Sequence, residues 1–146
     1  MTFFSAENPT KSWRFLPRRG THIASKIRVL IADDHRLFAE ALAAILATDD
    51  RFEVVGQAHN GEKAVELAAS EKPDVVLMDI SMPRLDGVEA AKRIKKKRKS
   101  AAVLMLTGSS SAADVARARE AGADGYVTKD RIASELIDSI AEVAQK

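Results

Sequence analysis

The sequence predicts an α/β fold, a doubly wound five-stranded parallel sheet built from five βα units. Short apolar runs alternate along the chain with amphipathic stretches of helical period. Three of the runs, 27–32, 74–79 and 101–107, are apolar almost throughout, as expected of parallel strands covered by helices on both faces. Strict alternation of strands and helices favours right-handed crossovers, which place helices on both sides of one sheet.

The elements follow one another without a break from residue 27 onward. Pro73 stops the second helix, and Gly122 stands in the position after a helix that glycine favours. Apolar residues at helical spacing from Ile132 indicate the last helix. The predicted strands are 27–32, 52–58, 74–79, 101–107 and 125–128, and helices are predicted near 37–46, 61–70, 86–98, 110–121 and 132–143.

Length and composition exclude several classes of protein. The chain has 146 residues, of which 46% are apolar and 30% charged, as expected of one globular domain with or without a tail. It has no cysteine, which excludes disulfide scaffolds, thiolate metal sites and cysteine nucleophiles. No apolar run approaches the ~20 residues of a membrane span, so we expect a cytoplasmic protein without membrane contact.

The basic residues are concentrated in two segments. Residues 1–26 hold five basic residues and one acidic residue, and residues 92–99 hold seven basic residues and no acidic one. Because the whole chain carries +2 and these segments contribute +4 and +7, the remainder carries −9. The basic isoelectric point of about 9.0 is therefore a weak argument for nucleic-acid binding.

We interpret residues 1–26 as a loosely ordered basic leader and residues 27–146 as the folded domain. A docking peptide through Trp13 and Phe15, or a targeting sequence, is the alternative for the leader. The run 92–99 is interpreted as a solvated helix end, where cations complement the helix dipole. An acidic protein partner or weak nucleic-acid contact is the alternative for that run.

Polar side chains follow four of the five predicted strands. Asp33 and Asp34 follow the first strand, Asp79 ends the third, Thr107 ends the fourth, and Lys129 follows the fifth. In the flavodoxin-like strand order 2-1-3-4-5 these four strands are contiguous, and ligands bind outside the carboxyl ends of such strands. All five side chains are therefore expected at one edge of the sheet.

Three carboxylates at one edge repel one another and raise one another's pKa values unless a cation joins them. Oxygen ligands and retained waters suit Mg²⁺. An ionised carboxylate beside a lysine can act as a nucleophile toward phosphorus, and a hydroxyl, an ammonium and a metal can bind phosphoryl oxygens. The edge is predicted to be a phosphate-accepting acidic pocket.

The alternative for Asp33 and Asp34 alone is helix capping. His35 and His59 are interpreted as helix-start and loop residues rather than metal ligands.

Four motifs at the strand ends resemble the receiver domain of two-component response regulators. They are VLIADDH (29–35), VVLMDISMPRLDG (75–87), VLMLTG (103–108) and GYVTKD (125–130). The resemblance covers residues 27–146 and is closest to receivers of the NarL/FixJ type. It implies that Asp79 is the phosphoacceptor. It also implies an Mg²⁺ site made by Asp34 directly, Asp33 through water, Asp79, and the backbone carbonyl of Ser81.

The resemblance also implies roles for four further side chains. Thr107 would bond a phosphoryl oxygen, and Lys129 would pair with the phosphoryl group. Tyr126 would reorient between inactive and active states. Ser81 and Ser109 occupy positions that tune the lifetime of the aspartyl phosphate.

The sequence therefore predicts a response regulator that accepts phosphate from a sensor histidine kinase or a phosphotransfer protein. It would be no enzyme in the usual sense, although it would promote its own phosphorylation and dephosphorylation. We expect signalling through contacts with an unknown downstream protein, possible homodimers, and no direct DNA binding. We also expect a stand-alone receiver. The alternative is the N-terminal receiver of a longer DNA-binding transcriptional regulator. A phosphate-independent module and a hydrolase of the same fold are further alternatives.

Overall fold

A computed structural model of the chain describes residues 2–3, 26–108 and 111–145. Five parallel strands and five helices confirm the predicted βα repeat. The strands are β1 (Thr2–Phe3), β2 (Ile27–Ala32), β3 (Phe52–Ala58), β4 (Val75–Asp79), β5 (Ala102–Thr107) and β6 (Gly125–Thr128). The helices are α1 (Arg36–Ala47), α2 (Gly61–Glu71), α3 (Gly87–Lys97), α4 (Ala112–Glu120) and α5 (Ile132–Ala144), with a 3₁₀ turn at Lys129–Arg131. In the described part of the chain no helix is long and apolar enough to cross a membrane.

The sheet has the order β1-β6-β5-β4-β2-β3. Without β1 this is the predicted order 2-1-3-4-5, with every neighbouring pair of β2 to β6 parallel. The two-residue strand β1 was not predicted. It pairs antiparallel with β6, with Thr2 opposite Tyr126 and Phe3 opposite Gly125. The remainder of the proposed leader lies outside the described residues, apart from Lys26.

Two apolar layers lie on opposite faces of the sheet because successive strand side chains point to opposite sides. Leu30 and Val76 pack with α2, α3 and α4 on one face. Val29 and Leu77 pack with α1 and α5 on the other. Every residue of β4 and β5 is buried, which confirms the expectation from their continuous apolar runs. The last residues of these two strands, Asp79 and Thr107, are therefore buried as well.

Side-chain caps begin three of the helices. Asn60, Asp86 and Ser111 each accept a hydrogen bond from the backbone N–H three residues later. Ser111 explains why α4 begins at Ala112, later than predicted. Helix α1 lacks such a cap, because the side chain of His35 makes no capping hydrogen bond. Asp33 and Asp34 therefore do not act as the N-cap of α1.

The basic run 92–99 is partly structural. Lys95 Nζ lies 3.1 Å from Asp124 Oδ2 and donates to the Ala101 carbonyl at 2.8 Å. Arg98 donates to the Pro73 carbonyl at 3.4 Å. Both side chains thus tie the end of α3 to neighbouring loops. The other five basic side chains of the run are exposed, as expected of a solvated helix end: Lys92, Arg93, Lys96, Lys97 and Lys99.

Gly87 brings the start of α3 against the end of β4. A Cβ at this position would lie 1.9 Å from the Asp79 carbonyl oxygen. We therefore expect Gly87→Ala to lower the free energy of unfolding by about 1–3 kcal/mol or more, because backbone atoms must move to relieve the overlap. Urea unfolding monitored by circular dichroism measures the change. Gly108→Ala is the matched control, since no heavy atom lies within 4 Å of its added Cβ. Equal stability of the two variants would contradict the prediction.

Candidate functional site

The sheet order brings the predicted polar residues to one edge. Asp33 and Asp34 follow β2, Asp79 ends β4, Thr107 ends β5 and Lys129 follows β6. Strands β2, β4, β5 and β6 are consecutive neighbours. The Asp33 N–H still donates to the Ala58 carbonyl at 2.9 Å, so the backbone of Asp33 is held as an extension of the β2–β3 ladder.

Lys129 joins two of the carboxylates. Its Nζ lies 2.9 Å from Asp33 Oδ2 and 3.5 Å from Asp79 Oδ2. The Asp33 side chain is fully buried, and a buried carboxylate is costly unless a charge or hydrogen bond compensates it. The ammonium of Lys129 supplies that compensation and holds the two acids in one arrangement.

Phe38 supports the lysine. The Lys129 ammonium lies over the Phe38 ring, 4.6 Å from its centroid, within the range of a cation–π contact. Sequence reasoning gave Phe38 no role in the pocket. The available signal was its place in the first turn of α1, directly after the acids that follow β2.

Asp79 lies at the floor of the site and is 4% exposed. Burial, together with the charge of Asp33, raises the pKa of Asp79 to about 6, although Lys129 and a hydrogen bond from the Ser81 backbone N–H oppose the increase. The carboxyl group of Asp79 therefore ionises near pH 6, about two pH units above an ordinary aspartate. Ser81 is exposed, two residues further along the chain.

Besides Asp33 Oδ2, which pairs with Lys129, two buried polar atoms at this edge have no hydrogen-bond partner among the described residues, Asp34 Oδ1 and Thr107 Oγ1. Thr107 is fully buried. Buried polar atoms usually have a hydrogen-bond partner, so both atoms are suited to an ion or ligand.

Tyr126 is half-buried in β6 and packs against the core layer beneath α2, α3 and α4. Ser109 lies outside the described residues.

The residues present fit a divalent cation. Asp33, Asp34, Asp79 and His35 each offer one ligand atom, and these atoms lie within 4.8 Å of one another. Three carboxylates against one ammonium leave excess negative charge, which a hard cation such as Mg²⁺ would neutralise through oxygen ligands. The structure therefore brings together all the predicted acids, Thr107 and Lys129.

An open parallel sheet with acids, a hydroxyl and a lysine at its carboxyl edge is the architecture of a receiver-type signalling domain. The chain belongs to the response regulator receiver domain family, whose profile matches residues 29–141. It is a receiver domain of two-component response regulators. Members of this family bind Mg²⁺ at an acidic pocket and interact with histidine kinases or phosphotransfer proteins.

Similar proteins include transcriptional regulators. The chain is 41% identical over 121 residues to the transcriptional regulatory protein DegU of Brevibacillus brevis, covering 83% of this chain and 51% of that protein. It is 47% identical over 113 residues to the transcriptional regulatory protein PdtaR of Mycobacterium tuberculosis, covering 77% and 54%. The chain thus spans about half the length of the relatives it matches.

Solved structures confirm the fold. The signal receiver domain of the response regulator NarL from Mycobacterium tuberculosis matches with a TM-score of 0.79 and 33% identity, covering 84% of this chain and 98% of that one. The response regulator domain of Thermotoga maritima CheB matches with a TM-score of 0.78 and 35% identity, with the same coverages. Together with DegU, the NarL match supports the predicted likeness to NarL/FixJ-type receivers.

The pKa of Asp79 predicts a pH-dependent effect of Asp79→Asn. Because the folded pKa of about 6 exceeds the ordinary value of 3.8, ionisation destabilises the native state as pH rises through that interval. Asp79→Asn should therefore stabilise the metal-free chain at pH 8 by up to about 3 kcal/mol relative to its effect at pH 4. Urea unfolding in EDTA at both pH values measures the difference.

Asp50→Asn is the control for this measurement, because Asp50 is an exposed carboxylate outside the site. We expect its effect to be the same at the two pH values. A stabilisation by Asp79→Asn that is equal at pH 4 and pH 8 would show that burial does not penalise the charge of Asp79.

Proposed function

We propose that this chain accepts a phosphoryl group on Asp79 from a sensor histidine kinase or phosphotransfer protein. The observation that carries this proposal is the position of Lys129, whose ammonium lies between Asp33 Oδ2 and Asp79 Oδ2. A carboxylate oxygen of Asp79 attacks phosphorus, the bond from phosphorus to the donor breaks, and an aspartyl phosphate forms. Attack of water on phosphorus reverses the modification and releases inorganic phosphate.

The metal-binding residues in this proposal are Asp34, Asp79 and the Ser81 carbonyl directly, with Asp33 acting through water. Bound Mg²⁺ supplies positive charge that offsets the carboxylates and the phosphoryl oxygens. The chain's own part is to hold the acids in place before the donor arrives. The buried backbone and side chain of Asp33 and the close approach of Gly87 to Asp79 support that positioning.

Lys129 and Thr107 would bind the phosphoryl group. The lysine ammonium is already 3.5 Å from Asp79 Oδ2, so a small movement brings it to a phosphoryl oxygen. The Thr107 hydroxyl has no hydrogen-bond partner among the described residues and is free to donate to a second oxygen. Ser81 and Ser109 are proposed to tune the lifetime of the product.

The signal is proposed to pass to the surface formed by α4, β6 and α5, through Thr107 and Tyr126. Thr107 and Thr128 are register partners on adjacent strands, so a shift at Thr107 reaches β6 directly. Tyr126 lies two residues before Thr128 on that strand. The output would be a contact with another protein, or a homodimer, in the cytoplasm, without direct DNA binding by this domain.

A second candidate is the N-terminal receiver of a longer DNA-binding regulator. This candidate is favoured by the relatives named as transcriptional regulators, about half of whose length the chain matches. In both candidates the chemistry at Asp79 is the same, and only the segment that receives the signal differs. An open reading frame that continues past Lys146 into a helix-turn-helix would favour the second candidate.

Incubation with acetyl phosphate and Mg²⁺ should add the mass of one phosphoryl group to the chain, because Asp79 is the buried nucleophile of the acidic pocket. Intact-mass spectrometry at neutral pH measures the adduct. Asp79→Asn should remain unlabelled, whereas the exposed control Asp50→Asn should be labelled like the parent chain. Labelling of Asp79→Asn to the parental level would assign the phosphate to another residue.

Mg²⁺ should raise the melting temperature of the parent chain, since a cation that binds only the folded state stabilises it by mass action. EDTA should reverse the increase. Asp34→Asn should abolish most of the Mg²⁺-dependent increase, because it removes the proposed direct ligand, whereas Asp50→Asn should retain it. Differential scanning fluorimetry across an Mg²⁺ titration makes the measurement. An undiminished increase in Asp34→Asn would contradict the assignment of that ligand.

A further inference from the structure

The structure places an imidazole among the carboxylates of the acidic edge. His35 Nδ1 lies 3.1 Å from Asp33 Oδ1 and 3.5 Å from Asp34 Oδ1. The sequence predicted His35 as a helix-start residue, and it does stand at the N-cap position of α1. Its side chain makes no capping hydrogen bond, however, and is directed to the acids instead.

The spacing of these atoms suits ligands of one ion. At metal–ligand bonds of about 2.1 Å, neighbouring ligand atoms of an octahedral site are about 3 Å apart and opposite ones about 4 Å apart. The two His35 distances fall near the separation of neighbouring ligands. One atom each from His35, Asp33, Asp34 and Asp79 lies within 4.8 Å of the others, so a single ion among them has all four residues within reach, directly or through a bound water.

Two further observations point to an ion at this place. Asp34 Oδ1 is buried without a hydrogen-bond partner in the described residues. Asp33 is fully buried beside Asp79, and Lys129 balances only one of the three carboxylate charges when all are ionised. The exposed ring of His35 can carry its proton on Nε2 toward water, which leaves the Nδ1 lone pair for the ion.

We propose that His35 is a nitrogen ligand of this metal site and increases its preference for divalent transition ions such as Ni²⁺ over Mg²⁺. The inference rests on the metal site of the proposed function. Imidazole suits first-row transition ions, whereas Mg²⁺ prefers oxygen ligands and keeps several waters. His35 therefore adds selectivity to a site whose carboxylates alone would accept either class of ion.

His59 provides the matched control. Its Nδ1 lies 3.0 Å from the backbone carbonyl oxygen of Asp33, so the ring is directed at the backbone rather than at the ligand group. His22 is the remaining histidine of the chain. Comparing His35→Gln with His59→Gln and His22→Gln therefore assigns any metal-bound nitrogen to one side chain.

The decisive measurement is electron spin echo envelope modulation of the full chain loaded with Mn²⁺. The parent chain should show modulation from a coordinated ¹⁴N nucleus. The modulation should disappear in His35→Gln and persist in His59→Gln and His22→Gln. If the parent spectrum shows no ¹⁴N modulation, the proposal is overturned whatever the variants show. A parent chain that does not bind Mn²⁺ overturns it as well.

Calorimetric titrations with Ni²⁺ and with Mg²⁺ give an independent readout. His35→Gln should weaken Ni²⁺ binding at least about tenfold, since even residues outside the ligand sphere change metal affinity by that factor. Mg²⁺ binding should change little. Equal losses for both ions would make His35 a positioning partner of Asp33 rather than a ligand. An unchanged ratio of Ni²⁺ to Mg²⁺ affinity in His35→Gln would therefore overturn the selectivity.

Acetyl phosphate labelling of the same samples separates this inference from the proposed function. A parent chain that is labelled on Asp79 with Mg²⁺ but shows no nitrogen modulation overturns only the role of His35. A parent chain with nitrogen modulation but no labelling overturns only the phosphoacceptor function.

Discussion

A half-buried ammonium between two carboxylates holds the carboxyl edge of the sheet together. Lys129 follows β6, and its Nζ lies 2.9 Å from the fully buried carboxylate of Asp33 at the end of β2. Strands β4 and β5 stand between these two. The ion pair therefore spans the central strands, and removing Lys129 would leave the buried charge of Asp33 uncompensated. Lys129 also contacts Asp79 and Phe38, so one side chain links β6 to β2, β4 and α1.

Even with this ion pair, the acidic edge carries more negative than positive charge. One ammonium faces three acids, and burial together with Asp33 raises the pKa of Asp79 to about 6. A divalent cation held to Asp33 through a bound water would compete with Lys129 for that carboxylate. In the proposed function this competition is useful, because it releases the lysine toward Asp79 when the phosphoryl group arrives.

Much of this arrangement was predictable because hydrophobic periodicity and strand ends are local properties of the chain. The apolar runs that became β4 and β5 placed Asp79 and Thr107 at the correct edge. The contact between Phe38 and Lys129 was not predictable, since it depends on how α1 rotates against the sheet and how far the lysine reaches. The direction of the His35 ring depends on the turn between β2 and α1. A strand as short as β1 carries no periodicity, and its pairing depends on the free edge of β6.

The pairing of β1 with β6 covers backbone groups that an edge strand otherwise presents to other chains. A tag or protein fused ahead of Thr2 would therefore be attached next to β6, because Thr2 is the register partner of Tyr126. An affinity tag or fluorescent protein at the amino terminus would crowd the neighbourhood of β6 and bias binding assays of that face. A fusion placed after α5 would be attached to a different element of the same face, so the choice of terminus becomes an experimental variable in its own right.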